Sequence, residues 1–398
     1  MSSPATAVLD ADAKAILARC EELYEDLELS AVKAWKAAHP GALAIGYLPT
    51  YVPREILHAA GCLPVGVLGA GEQLEIVKGD ACFQSYICHF PRSVIELGLS
   101  GRLDALDGMI FPSTCDVIRN LSGIWKLSFP GKFARYLDVP QNFDPRIGGR
   151  FYRRLLDELH RDLCRLSGRE PSAETLWASI AAYDENRRAV RELYELRREE
   201  PWRVRASEAY LVLRAGMQLD VHEHTELVRS FLQAVRGRPA RAVDDARVVL
   251  CGAFCEQPPL GLIRTLERAG CEVVDDDYML VLRWLGELPR RDGDPLDALS
   301  DAYLAYSGET ASRYVPDGTA KGERLVQAVR KSRAEGVIFA APSFCDPALL
   351  DRPMLQAVCD REGIAHTALK YAENTGQMQP IREQAGTFAD AIKLWGDV

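Results

Sequence analysis

One pattern occurs twice in this chain and limits what it can fold into. The first copy reads Asp107-Gly-Met-Ile-Phe-Pro-Ser-Thr-Cys115-Asp116, and the second reads Glu335-Gly-Val-Ile-Phe-Ala-Ala-Pro-Ser-Phe-Cys345-Asp346. Each joins an acidic residue, a glycine, a short apolar run with Ile-Phe, then Pro-Ser, one variable residue and Cys-Asp. A continuous apolar run of this length, entered through Gly and left through Pro, predicts a fully buried strand. Each cysteine then falls in the loop just past the strand's carboxyl end, which is where open α/β sheets bind ligands.

Two further landmarks recur in the same order. Leu57-His-Ala-Ala-Gly61-Cys62-Leu-Pro-Val matches Leu266-Glu-Arg-Ala-Gly270-Cys271-Glu-Val-Val, and Ala134 to Asn142 matches His366 to Asn374. Strands alternate with helical patterns around all three. These observations predict an α/β protein with two duplicated Rossmann-like parallel-sheet domains. Residues 1–40 form an N-terminal helical arm, with Ala15, Ile16, Cys20, Leu23, Tyr24 and Leu27 on one face. The first α/β domain covers 41–146 and includes a helix from Asp80 to Leu99, kinked or restarted at Pro91. Residues 147–240 lose their strand signals and form a helical connector, with helices over Phe151 to Leu166, Ser172 to Glu199 and Ala206 to Arg236. The second α/β domain covers 241–398 and closes with a helix from Gly376 to Trp395.

Composition narrows the functional classes. The chain has 398 residues, 47% hydrophobic and 26% charged, as in ordinary soluble globular proteins. A net charge of −9 argues against a nucleic-acid partner, whose phosphates call for clustered Lys and Arg. No stretch matches the apolar run of a membrane span, and Met1 to Ala11 lacks a signal pattern, so a cytoplasmic location is expected. The 11 cysteines, an odd number, point to thiols that are buried, ligating or reactive rather than to a disulfide framework.

Most of those thiols have a plain reading. Cys62 and Cys271 open apolar runs, Cys20 and Cys164 sit on helical patterns, and Cys251 and Cys255 flank a strand end without the Cys-x-x-Cys spacing. His222-Glu-His224 invites a metal reading, but an i, i+2 spacing sends the two side chains to different faces of a helix, so a solvated surface is expected. Cys115 and Cys345 differ because their positions match across the duplication. Each precedes a helix N-terminus that would stabilise a thiolate. Thiolates gathered from distant loops can hold an iron–sulfur cluster, with zinc as the rival metal. A third ligand is then required, and Cys88, just ahead of Pro91-Arg92, is the best placed.

At these residues the chain resembles a known family. Tyr86-Ile-Cys88-His-Phe-Pro-Arg92-Ser, Phe111-Pro-Ser-Thr-Cys115-Asp-Val-Ile-Arg-Asn120 and Ser343-Phe-Cys345-Asp-Pro347 are similar to motifs of the 2-hydroxyacyl-CoA dehydratase and benzoyl-CoA reductase family. So are Tyr51-Val-Pro-Arg-Glu55-Ile-Leu-His-Ala-Ala-Gly61 and Glu373-Asn-Thr-Gly376 followed by Ile381-Arg382. The resemblance covers nearly the whole chain. Ser122-Gly-Ile-Trp-Lys126 and Gly252-Ala-Phe-Cys-Glu-Gln-Pro-Pro259 favour the reductase branch. There the chain looks nearest to the smaller (gamma, or C) of the two substrate-binding subunits of the ATP-dependent class.

The resemblance implies a [4Fe–4S] cluster held by Cys88, Cys115 and Cys345. It implies a paired homologous cluster-bearing subunit and a separate ATP-hydrolysing iron–sulfur activator, with reduced ferredoxin upstream. The implied reaction is two-electron reduction of benzoyl-CoA to a cyclohexadienoyl-CoA, by way of a ring radical anion. Such chemistry needs a dry pocket and a timed proton. His89, Glu55 and Tyr51 are the donor candidates. The bland alternatives are a hydrogen bond near the cluster for His89, a helix N-terminal charge for Glu55 and packing for Tyr51. Arg119 and Asn120 are placed to steer the thioester or its phosphates, or to pair with Asp116. The rival readings are a subunit of a 2-hydroxyacyl-CoA dehydratase, which eliminates water, and a non-catalytic electron-relay subunit. A binding protein with core cysteines is a third.

Overall fold

The computed structural model describes residues 4–252, 256–279, 292–306, 322–372 and 378–395, together with 282, 285 and 288. The N-terminal segment forms two helices, α1 (Pro4–Glu25) and α2 (Ser30–Ala38). The first wound unit follows as β1 (Leu43–Tyr47), α3 (Arg54–Ala59), β2 (Cys62–Gly66), α4 (His89–Leu99), β3 (Gly108–Pro112), α5 (Asp116–Ser128) and β4 (Phe133–Leu137). Four helices come next: α6 (Arg150–Ser167), α7 (Ala173–Glu199), α8 (Ala206–Ala215) and α9 (Val221–Gly237). The second unit contains β5 (Ala246–Cys251), α10 (Leu260–Arg268), β6 (Cys271–Asp276), α11 (Pro295–Tyr306), α12 (Glu323–Ser332), β7 (Gly336–Pro342), α13 (Asp346–Glu362), β8 (Ala365–Tyr371) and α14 (Met378–Trp395).

Both sheets are parallel throughout and share one strand order, β2-β1-β3-β4 and β6-β5-β7-β8. Even the register repeats. Leu43 lies opposite Cys62 as Ala246 lies opposite Cys271, and Ile45 opposite Gly108 as Val248 opposite Gly336. A shared order and register are what a duplicated unit retains when its surface sequence has drifted.

The repeated motif accounts for this register residue by residue. Its acidic residue clips the start of the neighbouring strand: Ala44 N–H donates to Asp107 Oδ2 at 2.8 Å, and Arg247 N–H donates to Glu335 Oε2 at 2.8 Å. Lys36 and Lys393 neutralise the two carboxylates at 2.7 and 3.1 Å. The glycine follows because nothing larger fits. A Cβ on Gly108 would stand 2.7 Å from the Phe133 carbonyl, and one on Gly336 2.8 Å from the Phe388 ring. Ile110 and Ile338 then face a core shared with the helical connector, while Phe111 and Phe339 face the outer helices. That alternation is the period of two expected of a strand buried on both faces.

Three element boundaries differ from expectation. The helix predicted from Asp80 begins only at His89, so Pro91 falls in its first turn, where no backbone donor is needed. The helix predicted over Ala206 to Arg236 is broken between Ala215 and Val221, and Asp220 caps the second half by accepting from the His222 N–H at 2.9 Å. The N-terminal arm is two helices, of which α1 lies along α8 and α9 and buries Cys20 and Leu23.

Candidate functional site

In a sheet of order 2-1-3-4 the chain winds in opposite directions from the first and third strands, so a crevice opens between their carboxyl ends. In the first sheet the chain leaves β1 and β3 at that edge, and in the second it leaves β5 and β7 there. Cys115 and Cys345 occupy the corresponding positions, each as the N-cap of the following helix, α5 and α13. Cys88 is also an N-cap, of α4. The late start of α4 therefore turns a cysteine predicted inside a helix into a third thiol at a helix N-terminus.

The three thiols lie within electrostatic reach of one another. Burial, then the Glu256 charge, then Cys345 and Cys115 push the Cys88 thiol well up, and Arg92 opposes them. Burial pushes Cys345 up to about 12, opposed by the Ala348 N–H and reinforced by Glu256 and Cys115. Burial likewise raises Cys115, against the N–H groups of Ile118 and Val117, which face its sulfur. Cys345 is buried and Cys88 and Cys115 are half-buried, and thiols so raised become thiolates only if a positive centre joins them. Helix N-termini contribute part of that charge. Among the described residues no three His, Cys, Asp or Glu side chains are arranged to hold one metal ion.

The loops around the cysteines are strained. Thr50 and Tyr51 both have positive φ, 89° and 60°, and so does Phe344, next to Cys345, at 63°. Such conformations in non-glycine residues cost on the order of 1–3 kcal/mol each and gather where a ligand is held. Thr50 is wholly buried, and among the described residues its hydroxyl has no hydrogen-bond partner. Tyr51 is buried, its ring edge-on to Tyr303 at 6.0 Å. His89 is buried as the first residue of α4.

Glu55 is buried in α3, and its carboxylate pairs with Arg187 of α7, which also holds Asp184 at 2.6 Å. This network ties the first unit to the helical connector. Arg119 and Asn120 are exposed on α5, and the Arg119 charge reaches the half-buried Tyr136 phenol.

Other sequence-derived candidates separate cleanly. Cys20, Cys62, Cys164 and Cys271 are buried away from these loops, and Cys251 is buried among the outer helices of the second sheet. Cys255 and the Glu373 to Gly376 run lie outside the described residues. His222 is exposed as expected. His224 is not: it is 1% exposed, its Nε2 bonded to the Val212 carbonyl at 3.0 Å and its Nδ1 to Asn186 at 2.9 Å. The i, i+2 argument separated the two rings correctly but did not reveal which one faced the core.

Sequence reasoning missed Thr50 and Glu256 as individual site residues. Pro53 and Pro259 are the N-caps of α3 and α10, and Thr50 and Glu256 each stand three residues before their proline. Aligning the two units on those prolines would have found both.

Two doubly wound parallel sheets of one order, with cysteines capping the helices beyond their matched strands, define the class. The chain belongs to the family of the 2-hydroxyglutaryl-CoA dehydratase D-component, whose profile matches residues 49–392. It is 55% identical over 380 residues to the C subunit of benzoyl-CoA reductase from Thauera aromatica, spanning 96% of this chain and 98% of that one. It is 27% identical over 352 residues to the beta subunit of (R)-phenyllactyl-CoA dehydratase from Clostridium sporogenes, spanning 88% and 92%. It is 28% identical over 356 residues to the beta subunit of (R)-2-hydroxyglutaryl-CoA dehydratase from Acidaminococcus fermentans, spanning 88% and 93%. No helix among the described residues is long and apolar enough to cross a membrane.

Proposed function

We propose that this chain is the iron–sulfur, CoA-thioester-binding subunit of an ATP-dependent benzoyl-CoA reductase, an oxidoreductase that dearomatises benzoyl-CoA to a cyclohexadienoyl-CoA. What supports the proposal is that three helix-capping cysteines lie within electrostatic reach of one another in a chain 55% identical to a reductase subunit. Identities of 27% and 28% to dehydratase subunits make elimination of water the second reading.

Cys88, Cys115 and Cys345 fit a [4Fe–4S] cluster better than zinc. Each thiolate of a cluster binds its own iron, so three sulfurs need not crowd around one atom. When bound, the cluster supplies low-potential electrons. The chain's residues supply the surroundings. The strained Thr50–Tyr51 loop brings a buried, unpartnered hydroxyl to the crevice, where it donates to an acceptor on the substrate. His89 and Tyr51 hold the proton for the ring, and the buried walls exclude water. Glu55, engaged with Arg187, ties α3 to α7 and leaves proton transfer to those two. Arg119 and Asn120, on the exposed face of α5, steer the thioester or its phosphates. The chain has no Gly-x-x-x-x-Gly-Lys-Ser/Thr phosphate loop, so ATP hydrolysis falls to a partner activator, fed by reduced ferredoxin. The complex also takes in a paired homologous subunit.

The test is anaerobic purification with co-purifying partners, followed by iron and sulfide assay and low-temperature electron paramagnetic resonance. A cluster signal that shifts on adding benzoyl-CoA supports the reductase reading. A cluster indifferent to benzoyl-CoA, in a complex that dehydrates a 2-hydroxyacyl-CoA, establishes the second reading. A cluster that responds to neither thioester leaves the chain as an electron relay. No iron under strict anaerobiosis rejects the cysteine assignment.

A further inference from the structure

Glu256 is 1% exposed, yet no role in the proposed chemistry calls for a carboxylate at its position. It belongs to the second unit, in the loop between β5 and α10. Its own carbonyl accepts the Tyr371 hydroxyl at 2.8 Å, which anchors its backbone to the end of β8. Its side chain crosses to the first unit, where Oε2 accepts the Phe90 N–H at 3.3 Å. Phe90 is the second residue of α4, the helix that Cys88 caps. The free N–H groups of that first turn carry the positive end of the helix dipole, which favours an ionised carboxylate there.

The same carboxylate, bonded two residues from Cys88, lies within electrostatic reach of two of the three thiols. Cys88 and Cys345 both feel the Glu256 charge, although one belongs to each unit. Arg92 is the cation that opposes it at Cys88, and the ion pair with Asp80 at 2.8 Å moderates that opposition. Tyr371, pushed well up by burial and then by Glu256, faces the same group in neutral form. A fixed negative charge beside a buried redox centre disfavours the added electron, and low dielectric strengthens the effect.

We infer that Glu256 is a positioning residue that clamps the N-terminus of α4 to the second unit and, through its charge, lowers the reduction potential of the group held by Cys88 and Cys345. This rests on the cluster proposed above. A low potential suits a centre that must pass electrons to an aromatic ring.

The experiment is an anaerobic redox titration of the complete complex, read by electron paramagnetic resonance and paired with iron analysis. Glu256→Gln keeps an oxygen acceptor for Phe90 and removes the charge. Its cluster should retain native iron content and titrate at a higher potential, while the signal of the homologous partner stays in place. Glu256→Asp should restore the low potential, and Arg92→Gln should move it the opposite way from Glu256→Gln. A Glu256→Gln midpoint equal to the native one overturns the inference while leaving the cluster standing. Loss of iron in Glu256→Gln also overturns it, by reducing Glu256 to a purely structural clamp. Absence of iron from the native complex overturns the cluster proposal and this inference together.

Discussion

At the scale of single residues, the cysteines divide by what surrounds them rather than by how deeply they lie. Cys20 and Cys345 are both buried, yet Cys20 is surrounded by hydrocarbon on α1, while Cys345 caps a helix beside two other thiols and a carboxylate. Replacing Cys88, Cys115 or Cys345 by Ser should remove most of the bound iron. Cys20→Ser should keep it, at a stability cost of about 1–3 kcal/mol for burying a hydroxyl. Retention of a normal cluster in the Cys345 variant would refute the ligand set. A second residue-scale prediction concerns His224. Burial, aided by Arg54, lowers its pKa to about 4 against the bond to the Val212 carbonyl. Because the folded pKa lies below the unfolded value of about 6.5, the unfolded chain takes up the proton first. The contribution is therefore intact above about pH 6.5 and is lost as pH falls towards 4, by on the order of 3 kcal/mol. Glu272, raised by burial to about 7, opposes it, losing stability as pH rises from its unfolded pKa of about 4.3 towards 7. The difference in urea midpoints between the native chain and His224→Gln isolates the histidine. If that difference does not vary between pH 7 and 5, the assignment is wrong.

At the scale of elements, the repeated motif is a strand, a turn and a helix start in one piece, and its glycine is the part with the least slack. Gly108→Ala would push a Cβ to 2.7 Å from both the Cβ and the carbonyl of Phe133, forcing β3 and β4 apart. A cost of about 1–3 kcal/mol is expected, read from urea denaturation. Gly123, exposed on α5 with nothing within 4 Å of a new Cβ, provides the contrast. Gly123→Ala should stabilise by about 0.5–1 kcal/mol. Equal effects at the two sites would contradict the packing argument. The element boundaries also show where local patterns run out. Asp80 to Leu99 has a helical composition throughout, but residues 80–88 turn instead, and Gly79 and Val77 donate their N–H groups to Glu96 at 2.7 and 2.9 Å. That competing set of bonds comes from the far end of α4 and has no signature in the segment it reorganises.

At the scale of the whole molecule, the candidate site joins two units that share a core through the helical connector. Cys88 and Cys115 come from one and Cys345 from the other. A cluster bound by all three should therefore couple their unfolding. Chelating the iron anaerobically should lower the melting temperature by several degrees and broaden the transition, and the native chain so treated should match Cys345→Ser. An unchanged transition would mean that no shared centre spans the units. The sequence by itself determined the parallel wound sheets, their duplication and the placing of Cys115 and Cys345 beyond matched strands. Each of these is carried by a run of about ten consecutive residues whose chemistry acts locally: an acid clip, a glycine, a buried strand, a proline exit and a helix cap. Only the tertiary structure decided that α4 begins at His89 with Cys88 as its N-cap, that Glu55 pairs with Arg187, that His224 is a core residue and that Glu256 reaches the N-terminus of α4. Those outcomes depend on side chains tens or hundreds of residues apart competing for the same buried hydrogen bonds and charges, and packing settles such contests between elements.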